Sequence, residues 1–308
     1  MSGPTSTSLD PESQRTTRRR LLQGLGALAA APWIAPAGAA DRAVPLRLPL
    51  HLTQMVNHIG ISVRNVRKSA SFYSHLLDEA HILGQEKPTL RYLINLHPGA
   101  ISVGPLSAGG PSGHHTTPFI DHFAVLAQPF NLASWRARLD ALKIRYFAQG
   151  TFVPIDGVPV QLLGGHEAMR RRRARKGPAG AGFMPMAPLY TGEPLVKAHG
   201  FKRVTLQMAN LDAATEEFRT LFGLPPHRTD SGRVFFQIAD IQLELQDAPS
   251  GPSRIAAFAI KVEPFDRAKV SEALEALGAK VEATRGGGNP AALPFADPDG
   301  IECELWPL

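Results

Sequence analysis

The sequence contains one cysteine, no long apolar run beyond its first forty residues and little net charge outside two short segments. With Cys303 alone, no disulfide bond can form within the chain. Cys303 alternates with Ile301 and Leu305, a pattern that predicts a buried position in a β-strand. No later stretch is apolar for long enough to span a bilayer, so we expect no transmembrane segment. The length of 308 residues accommodates two domains of ordinary size.

The formal net charge of +6 is concentrated at two places in the chain. Residues 1–40 carry four arginines against two acidic residues, and residues 166–176 carry six basic residues against one glutamate. The remainder is close to neutral and lacks the basic face that nucleic-acid binding requires, so we expect no nucleic-acid partner. The basic run at 170–176 is interpreted as part of a solvated linker, with contact to anionic lipid or another polyanion as the alternative.

The first forty residues have the order of an export signal. An arginine cluster at 18–20 follows a polar lead, and a short apolar stretch at 21–31 follows the arginines. The small residues at 37–39 then offer a cleavage site. The segment resembles a twin-arginine export signal, which implies a periplasmic or secreted bacterial protein and the twin-arginine export machinery as a partner. A disordered basic tail is the alternative.

Four segments of the chain repeat one order of elements, in which a strand and a helix are followed by two or three short strands. The first segment opens with an alternating strand at 56–63 and continues with a helix at 66–77. The other segments open near residues 119, 201 and 255. Asn65 aligns with Asn210, and Phe152 aligns with Phe295. The pattern predicts an α+β fold built from four βαβββ units.

Four motifs carry a resemblance to a known superfamily. They are the opening histidine of VNHIGISV, the FY-xx-LL ending of the first helix, IDHFAV at 120–125 and FADPDGIECEL at 295–305. Together with the fourfold order of elements, they resemble the vicinal oxygen chelate superfamily, which includes glyoxalases, bleomycin resistance proteins and extradiol dioxygenases. The resemblance implies that the units pair into two cupped-sheet domains, at 52–165 and 200–308. The segment 166–199, rich in arginine, glycine and proline, would be a linker or a lid.

The resemblance also implies a metal site in the N-terminal domain. The superfamily takes its ligands from the first strand of each paired unit and from the last strand, which here are His58, His122 and Gln161. Two imidazoles and an oxygen donor suit a divalent transition metal, with Fe(II) preferred and Zn, Mn, Ni or Co as alternatives. Three protein ligands leave positions open for a small-molecule substrate. The competing interpretation makes both histidines structural and leaves Gln161 without a metal contact.

The C-terminal domain is expected to lack such a site. The positions that correspond to the two histidines and the glutamine are Arg203, Ala257 and Glu304. Only Glu304 keeps a residue type that the superfamily uses as a ligand, and we interpret it as structural or as part of a pocket wall.

Three further side chains are candidates for a part in catalysis. His114 and His115 come just before the second unit and are candidates for a general acid or base. An exposed pair of loop histidines is the alternative. Tyr146, in the second strand of the second unit, is a candidate for orienting a substrate oxygen, and a core aromatic residue is the alternative.

Three functions are open on the sequence. The favoured one is an extradiol-dioxygenase-like enzyme whose metal binds a small catecholic or other vicinal-oxygen substrate. Gln161 in place of a carboxylate, and a metal site in the N-terminal rather than the C-terminal pair, depart from the dioxygenases. A glyoxalase-like lyase or isomerase, with the metal as a Lewis acid, is the second hypothesis. A non-catalytic protein that binds a small aromatic or hydrophobic molecule is the third.

Overall fold

The computed structural model describes most of the chain beyond residue 51. The predicted export signal at 1–40, His114 and residues 166–183 of the predicted linker lie outside the described residues. Among the helices that are described, none has the length and apolar content that a membrane-spanning helix needs. The described residues are 52–77, 83–85, 89–106, 115–127, 132–147, 152–164, 184–187, 189–248, 250–282 and 290–308.

The N-terminal half contains the first two units. The first unit ends with three short strands, and the second with a hairpin that turns at Asp156 and Gly157, both of which have positive φ. A further short strand from the predicted linker pairs with β2. The elements are β1 (Leu52–Val63), α1 (Val66–Leu76), β2 (Leu83–Gln85), β3 (Arg91–Asn95), β4 (Ala100–Pro105), β5 (Phe119–Ala127), α2 (Leu132–Ala141), β6 (Phe152–Ile155), β7 (Val158–Gly164) and β8 (Met184–Pro185).

The C-terminal half repeats this order. Its first strand begins inside the segment that the sequence suggested as a linker, because Lys197 and Ala198 already pair with β13. The α+β fold of repeated units is confirmed. The elements are β9 (Lys197–Met208), α3 (Leu211–Phe222), β10 (His227–Arg228), β11 (Val234–Ile238), β12 (Ile241–Asp247), β13 (Arg254–Glu263), α4 (Arg267–Ala276), β14 (Lys280–Val281), β15 (Leu293–Ala296) and β16 (Glu302–Pro307).

The first strands of the units form the centre of the sheet. Strand β1 runs antiparallel to β5, and each of them has the last strand of its own unit, β4 or β7, as a parallel neighbour. Strands β9 and β13 pair in the same way, with β12 and β16 as their parallel neighbours. A single pairing of Ile120 with Ile255 joins the two halves into one sheet. The residues that open the four units are therefore neighbours across the middle of the sheet.

Alternation along β1 separates a packed face from a polar face. Ile59, Ile61 and Val63 are buried in the main hydrophobic core, where each side chain contributes about 1.5–3 kcal/mol through burial. His58 is half-buried on the opposite face. Asn65 then ends the strand segment and caps α1, because its side-chain oxygen accepts a hydrogen bond from the Lys68 amide at 3.1 Å.

Helix α1 packs against the fourth unit. The Tyr73 hydroxyl donates a hydrogen bond to Asp297 at 2.8 Å, and the Ser69 hydroxyl donates to Asp299. The rings of Phe72 and Phe295 have centroids 6.3 Å apart. The first and last units of the chain are thus held together by a buried contact between a helix and the end of a sheet.

The second and third units meet in a related way. The ring of Phe218 on α3 lies 6.5 Å from that of Phe123 on β5. At the β6–β7 turn, Asp156 accepts hydrogen bonds from the Asn210 amide at 3.2 Å and from the Ser253 hydroxyl. The N-terminal and C-terminal halves are therefore in contact at two places, where the first unit meets the fourth and where the second unit meets the third.

The buried carboxyl of Asp297 makes the stability of the fold depend on pH. Burial raises the pKa of Asp297 from 3.8 to about 6, and hydrogen bonds from Ile301 and Tyr73 oppose that rise. Between these two values the folded protein holds a proton that the unfolded chain has released. The free energy of unfolding therefore falls as pH rises through this window.

We expect Asp297→Asn to remove this dependence, because an amide has no proton to lose there. The unfolding free energy of the wild type, measured by urea titration from pH 4 to pH 7, is expected to fall by about 2–3 kcal/mol relative to that of the variant. A difference between the two proteins that stays constant over this range contradicts the prediction.

Candidate metal centre

The three predicted metal ligands lie on neighbouring strands and on one face of the N-terminal sheet. Gly60 of β1 pairs with His122 of β5, and His58 pairs with Ala124. Ala124 is in turn the parallel partner of Gln161 on β7. Because directly paired residues point to the same side of a sheet, the two imidazoles and the amide share the polar face.

The structure brings these side chains into contact. The Nε2 atoms of His58 and His122 are 3.1 Å apart, and their rings meet edge to face at 88° with centroids 5.2 Å apart. The side chain of Gln161 lies close enough to His58 to raise its pKa, against the larger lowering effect of burial. Phe152 lies against the other side of His122, with a centroid distance of 5.2 Å. The three residues form a compact cluster beside an aromatic wall.

Each histidine is oriented by the residue that precedes it. Nδ1 of His58 lies 3.0 Å from the side-chain oxygen of Asn57, and Nδ1 of His122 lies 2.6 Å from Oδ2 of Asp121. Both partners are acceptors, so each Nδ1 carries the proton and donates. A neutral ring in this tautomer has a bare lone pair at Nε2. The two lone pairs therefore face each other across 3.1 Å.

The two lone pairs repel each other unless a proton or a metal ion lies between them. A proton on His58 is disfavoured, because desolvation lowers the pKa of His58 to about 3, and the neighbouring His122 and Arg91 lower it further. His58 is therefore neutral, which is the form in which an imidazole binds a metal ion.

The spacing of the two nitrogens fits a single metal ion. Two ligands with bonds of about 2.1 Å at a right angle to each other are about 3 Å apart, and the Nε2 atoms are separated by 3.1 Å. Within the described residues, no cluster of three or more histidine, cysteine or acidic side chains is able to hold a metal. The third donor available in the cluster is the amide oxygen of Gln161, which contributes no charge.

Strict strand alternation with His122 would place the neighbouring Asp121 on the opposite face of the sheet. In the pairing of β1 with β5, Gly60 faces His122 and Ile61 faces Ile120, so Asp121 is the extra residue of a β-bulge. The bulge lets its buried carboxylate turn to the neighbouring imidazole. A carboxylate on Nδ1 fixes the ring and increases the basicity of Nε2. The adjacent pairs Asn57-His58 and Asp121-His122 were the sequence signal for this arrangement.

Gly60 provides the space in which the His122 ring lies. A Cβ atom at Gly60 would be 2.3 Å from Cε1 and 2.6 Å from Nδ1 of His122, far inside van der Waals contact. The ring therefore rests directly on the backbone of β1. In the C-terminal sheet the corresponding pair is Thr205 and Ala257, a larger residue opposite a methyl group.

The matching face of the C-terminal sheet is occupied by ion pairs. Arg203 contacts Glu304 at 2.6 Å and Glu244 at 3.0 Å, and Arg233 contacts Glu244 at 3.0 Å. The indole of Trp306 donates to Glu304 at 2.9 Å. The register supports the sequence alignment, because Arg203 pairs with Ala259 as His58 pairs with Ala124. An arginine with its own carboxylates thus stands where the N-terminal sheet has histidines.

The remaining candidates are His115, Tyr146 and His114. His115 is exposed, and its ring lies on Phe119, with a centroid distance of 3.9 Å. Tyr146 is buried in the core, and burial together with the nearby Asp140 of α2 raises the pKa of its hydroxyl. His114 is outside the described residues. The structure therefore gathers the three predicted ligands, while the catalytic roles of His114, His115 and Tyr146 stay predictions.

Comparison with known proteins shows the fold. No protein-family model matches the chain, and no curated protein matches it in sequence. Among solved structures, the 2,3-dioxygenase LapB from Pseudomonas sp. KL28 is similar, with a TM-score of 0.59 and 12% identity over 84% of this chain and 93% of that one. A catechol 2,3-dioxygenase has a TM-score of 0.55 and 15% identity over 84% of this chain and 89% of its own.

A third similar structure has a different activity. It is the Mn(II)-bound glyoxalase from Novosphingobium aromaticivorans, with a TM-score of 0.56 and 12% identity over 83% of this chain and 82% of that one. At such identities the likeness shows the architecture, which is the vicinal oxygen chelate fold.

Proposed function

We propose that this protein is a metal-dependent enzyme in which His58, His122 and Gln161 hold a divalent transition metal, preferably Fe(II). The observation that carries the proposal is the convergence of two Nε2 atoms at 3.1 Å, each with its Nδ1 held by a side-chain oxygen. The dioxygenases and the glyoxalase of the same fold support it. Export through the predicted signal at 1–40 is part of the proposal and rests on the sequence alone.

The reaction that this site supports best is oxidative ring opening of a small catecholic substrate. When bound, the metal supplies positive charge and open positions for two adjacent substrate oxygens. Asp121 and Asn57 keep both imidazoles in the ligating tautomer, so that little reorganisation is needed. Gly60 and Ser62 leave the polar face of β1 without bulky side chains, and Phe152 bounds it on the His122 side.

A glyoxalase-like isomerisation is the second candidate. The neutral amide of Gln161 leaves more positive charge on the metal than a carboxylate does, which favours Lewis-acid catalysis. Such chemistry also needs a base to move a proton, and among the residues that the structure describes, the carboxylate in contact with the histidine pair is that of Asp121, which is engaged with His122. This observation favours the dioxygenase.

Metal analysis and oxygen consumption test the proposal. Protein purified without oxygen and supplied with Fe(II) is expected to retain about one equivalent of iron per chain after desalting, and to consume oxygen when catechol is added. Hydroquinone, whose oxygens are not adjacent, is the control and is expected to give no uptake. Retained metal without oxygen uptake, but with turnover of a hemithioacetal, supports the isomerase. Failure to retain any first-row metal overturns the proposal and leaves a binding protein.

A further inference from the structure

Arg91 places a positive charge on the polar face of the N-terminal sheet. Its side chain lies on Gly104 of β4, where an added Cβ would be 2.8 Å from one guanidinium nitrogen. Gly104 pairs with Ser62, two residues beyond Gly60 on the face that carries the histidines. None of the ion pairs between described residues includes Arg91. The Arg91 side chain is half-buried.

Because the chain is a repeat, Arg91 can be compared with the residue at the same position of the C-terminal sheet. Leu93 pairs with Ser102 as Phe235 pairs with Glu244, so Arg91 corresponds to Arg233 and Ser102 corresponds to Glu244. In the C-terminal sheet, Glu244 neutralises its arginine at 3.0 Å. In the N-terminal sheet the carboxylate is replaced by a serine while the arginine is kept. In the sheet with the histidine pair, Arg91 therefore lacks the counterpart of Glu244.

The distance between the two features suits one small molecule. Gly60, beneath His122, and Gly104, beneath Arg91, are separated by one strand spacing and two residues, which is roughly 8 Å. This is the span of a six-membered ring with a substituent. Phe119 pairs with Ser62 and is half-buried, so an aromatic side chain borders the same region.

We propose that Arg91 binds a carboxylate of the substrate, so that the substrate is an aromatic acid with two adjacent ring oxygens. The two hydroxyl groups of the substrate would lie at the histidine pair, and its carboxylate would lie at Arg91. The placement of the hydroxyl groups rests on the proposed function. A guanidinium recognises a carboxylate through two parallel hydrogen bonds, which adds orientation to affinity. A neutral catechol has no group for this second anchor.

A pair of isosteric probes tests the proposal on the full chain. The affinities of 3,4-dihydroxybenzoate and 3,4-dihydroxybenzamide are measured by calorimetry, since the two molecules differ in charge and hardly in shape. The wild type is expected to bind the acid about tenfold more tightly than the amide, because only the acid forms a charge-assisted hydrogen bond with Arg91. Arg91→Gln is expected to bind both with equal affinity, and Arg91→Lys to keep part of the preference.

The matched control is Arg233→Gln, which removes the corresponding arginine of the other sheet and is expected to keep the full preference. Thermal melts of all variants check the fold, and the lysine variant keeps the test decisive if the glutamine variant is unstable. A wild type without a preference, including one that binds neither probe, overturns the inference. So does an Arg91→Gln variant that keeps the preference.

Metal content of the same samples separates the two proposals. Iron retained by a protein that does not distinguish acid from amide overturns the role of Arg91 and leaves the proposed function standing. A preference for the acid in a protein that retains no metal overturns the proposed function and assigns Arg91 to a binding protein for aromatic acids.

Discussion

Replacing either His58 or His122 by alanine is expected to lower the metal content of the protein from about one equivalent per chain to less than about a tenth of one. Each variant leaves one imidazole and the neutral amide of Gln161, a donor set too weak to retain a divalent ion through desalting. Gln161→Ala is expected to weaken binding less than either histidine variant does, because an amide oxygen is the poorest ligand of the three. Metal content by mass spectrometry after desalting is the measurement.

The control for these variants is His227→Ala. His227 is exposed in β10 and stacks on Phe235, with a centroid distance of 5.1 Å, on the half of the sheet that has no histidine pair. It is expected to retain metal like the wild type. Undiminished metal in both His58→Ala and His122→Ala would show that the ion binds elsewhere, and the assignment of the centre would then be wrong.

The second large effect is expected from Gly60→Ala, which changes no ligand. The new methyl group would occupy the space of the His122 ring, at 2.3 Å from Cε1, so the ring has to move. The movement breaks the contact of Nδ1 with Asp121 and shifts Nε2 away from His58. We expect metal affinity to fall by about 100-fold, at the upper end of the effect of losing a supporting contact. Competition with a chromogenic chelator measures it.

Ser62→Ala is the matched control for the glycine variant. Ser62 lies on the same strand and the same face, two residues from Gly60, and its loss removes a hydroxyl without adding an atom near either imidazole. Its metal affinity is expected to equal that of the wild type. Equal affinities of Gly60→Ala and the wild type would contradict the claim that the His122 ring must lie on the backbone of β1.

The sequence alone predicted the repeat, and the repeat predicted the equivalent positions. Alternation with a period of two assigned His58 to the face opposite Ile59 and Ile61, and burial confirms that assignment. Asn65 and Asn210 were aligned, and both cap their helices in the structure. Cys303 was expected to be buried in a strand, and it is. These features depend on neighbours within a few residues, so the local pattern contains them.

Alternation failed at Asp121 for a local reason. It assumes one residue per step, and a β-bulge adds a residue that the pattern does not register. The same bulge occurs at Ala256 of β13, whose methyl group cannot form a hydrogen bond like that of Asp121. The sequence therefore showed that Asn57 precedes His58 and that Asp121 precedes His122. It did not show that the side-chain oxygen of each would contact the histidine ring.

Contacts between distant segments were decided only by the tertiary structure. The linkage of Tyr73 to Asp297 joins positions 224 residues apart, and no periodicity predicts which units will meet. The position of Arg91 next to Ser102, where the other sheet has Arg233 next to Glu244, is a fact of the same kind, because it depends on strand register. The sequence determined which side chains share a face, since backbone geometry sets that. The fold decided which atoms touch, because strand register, bulges and side-chain rotamers are settled by packing across the whole chain.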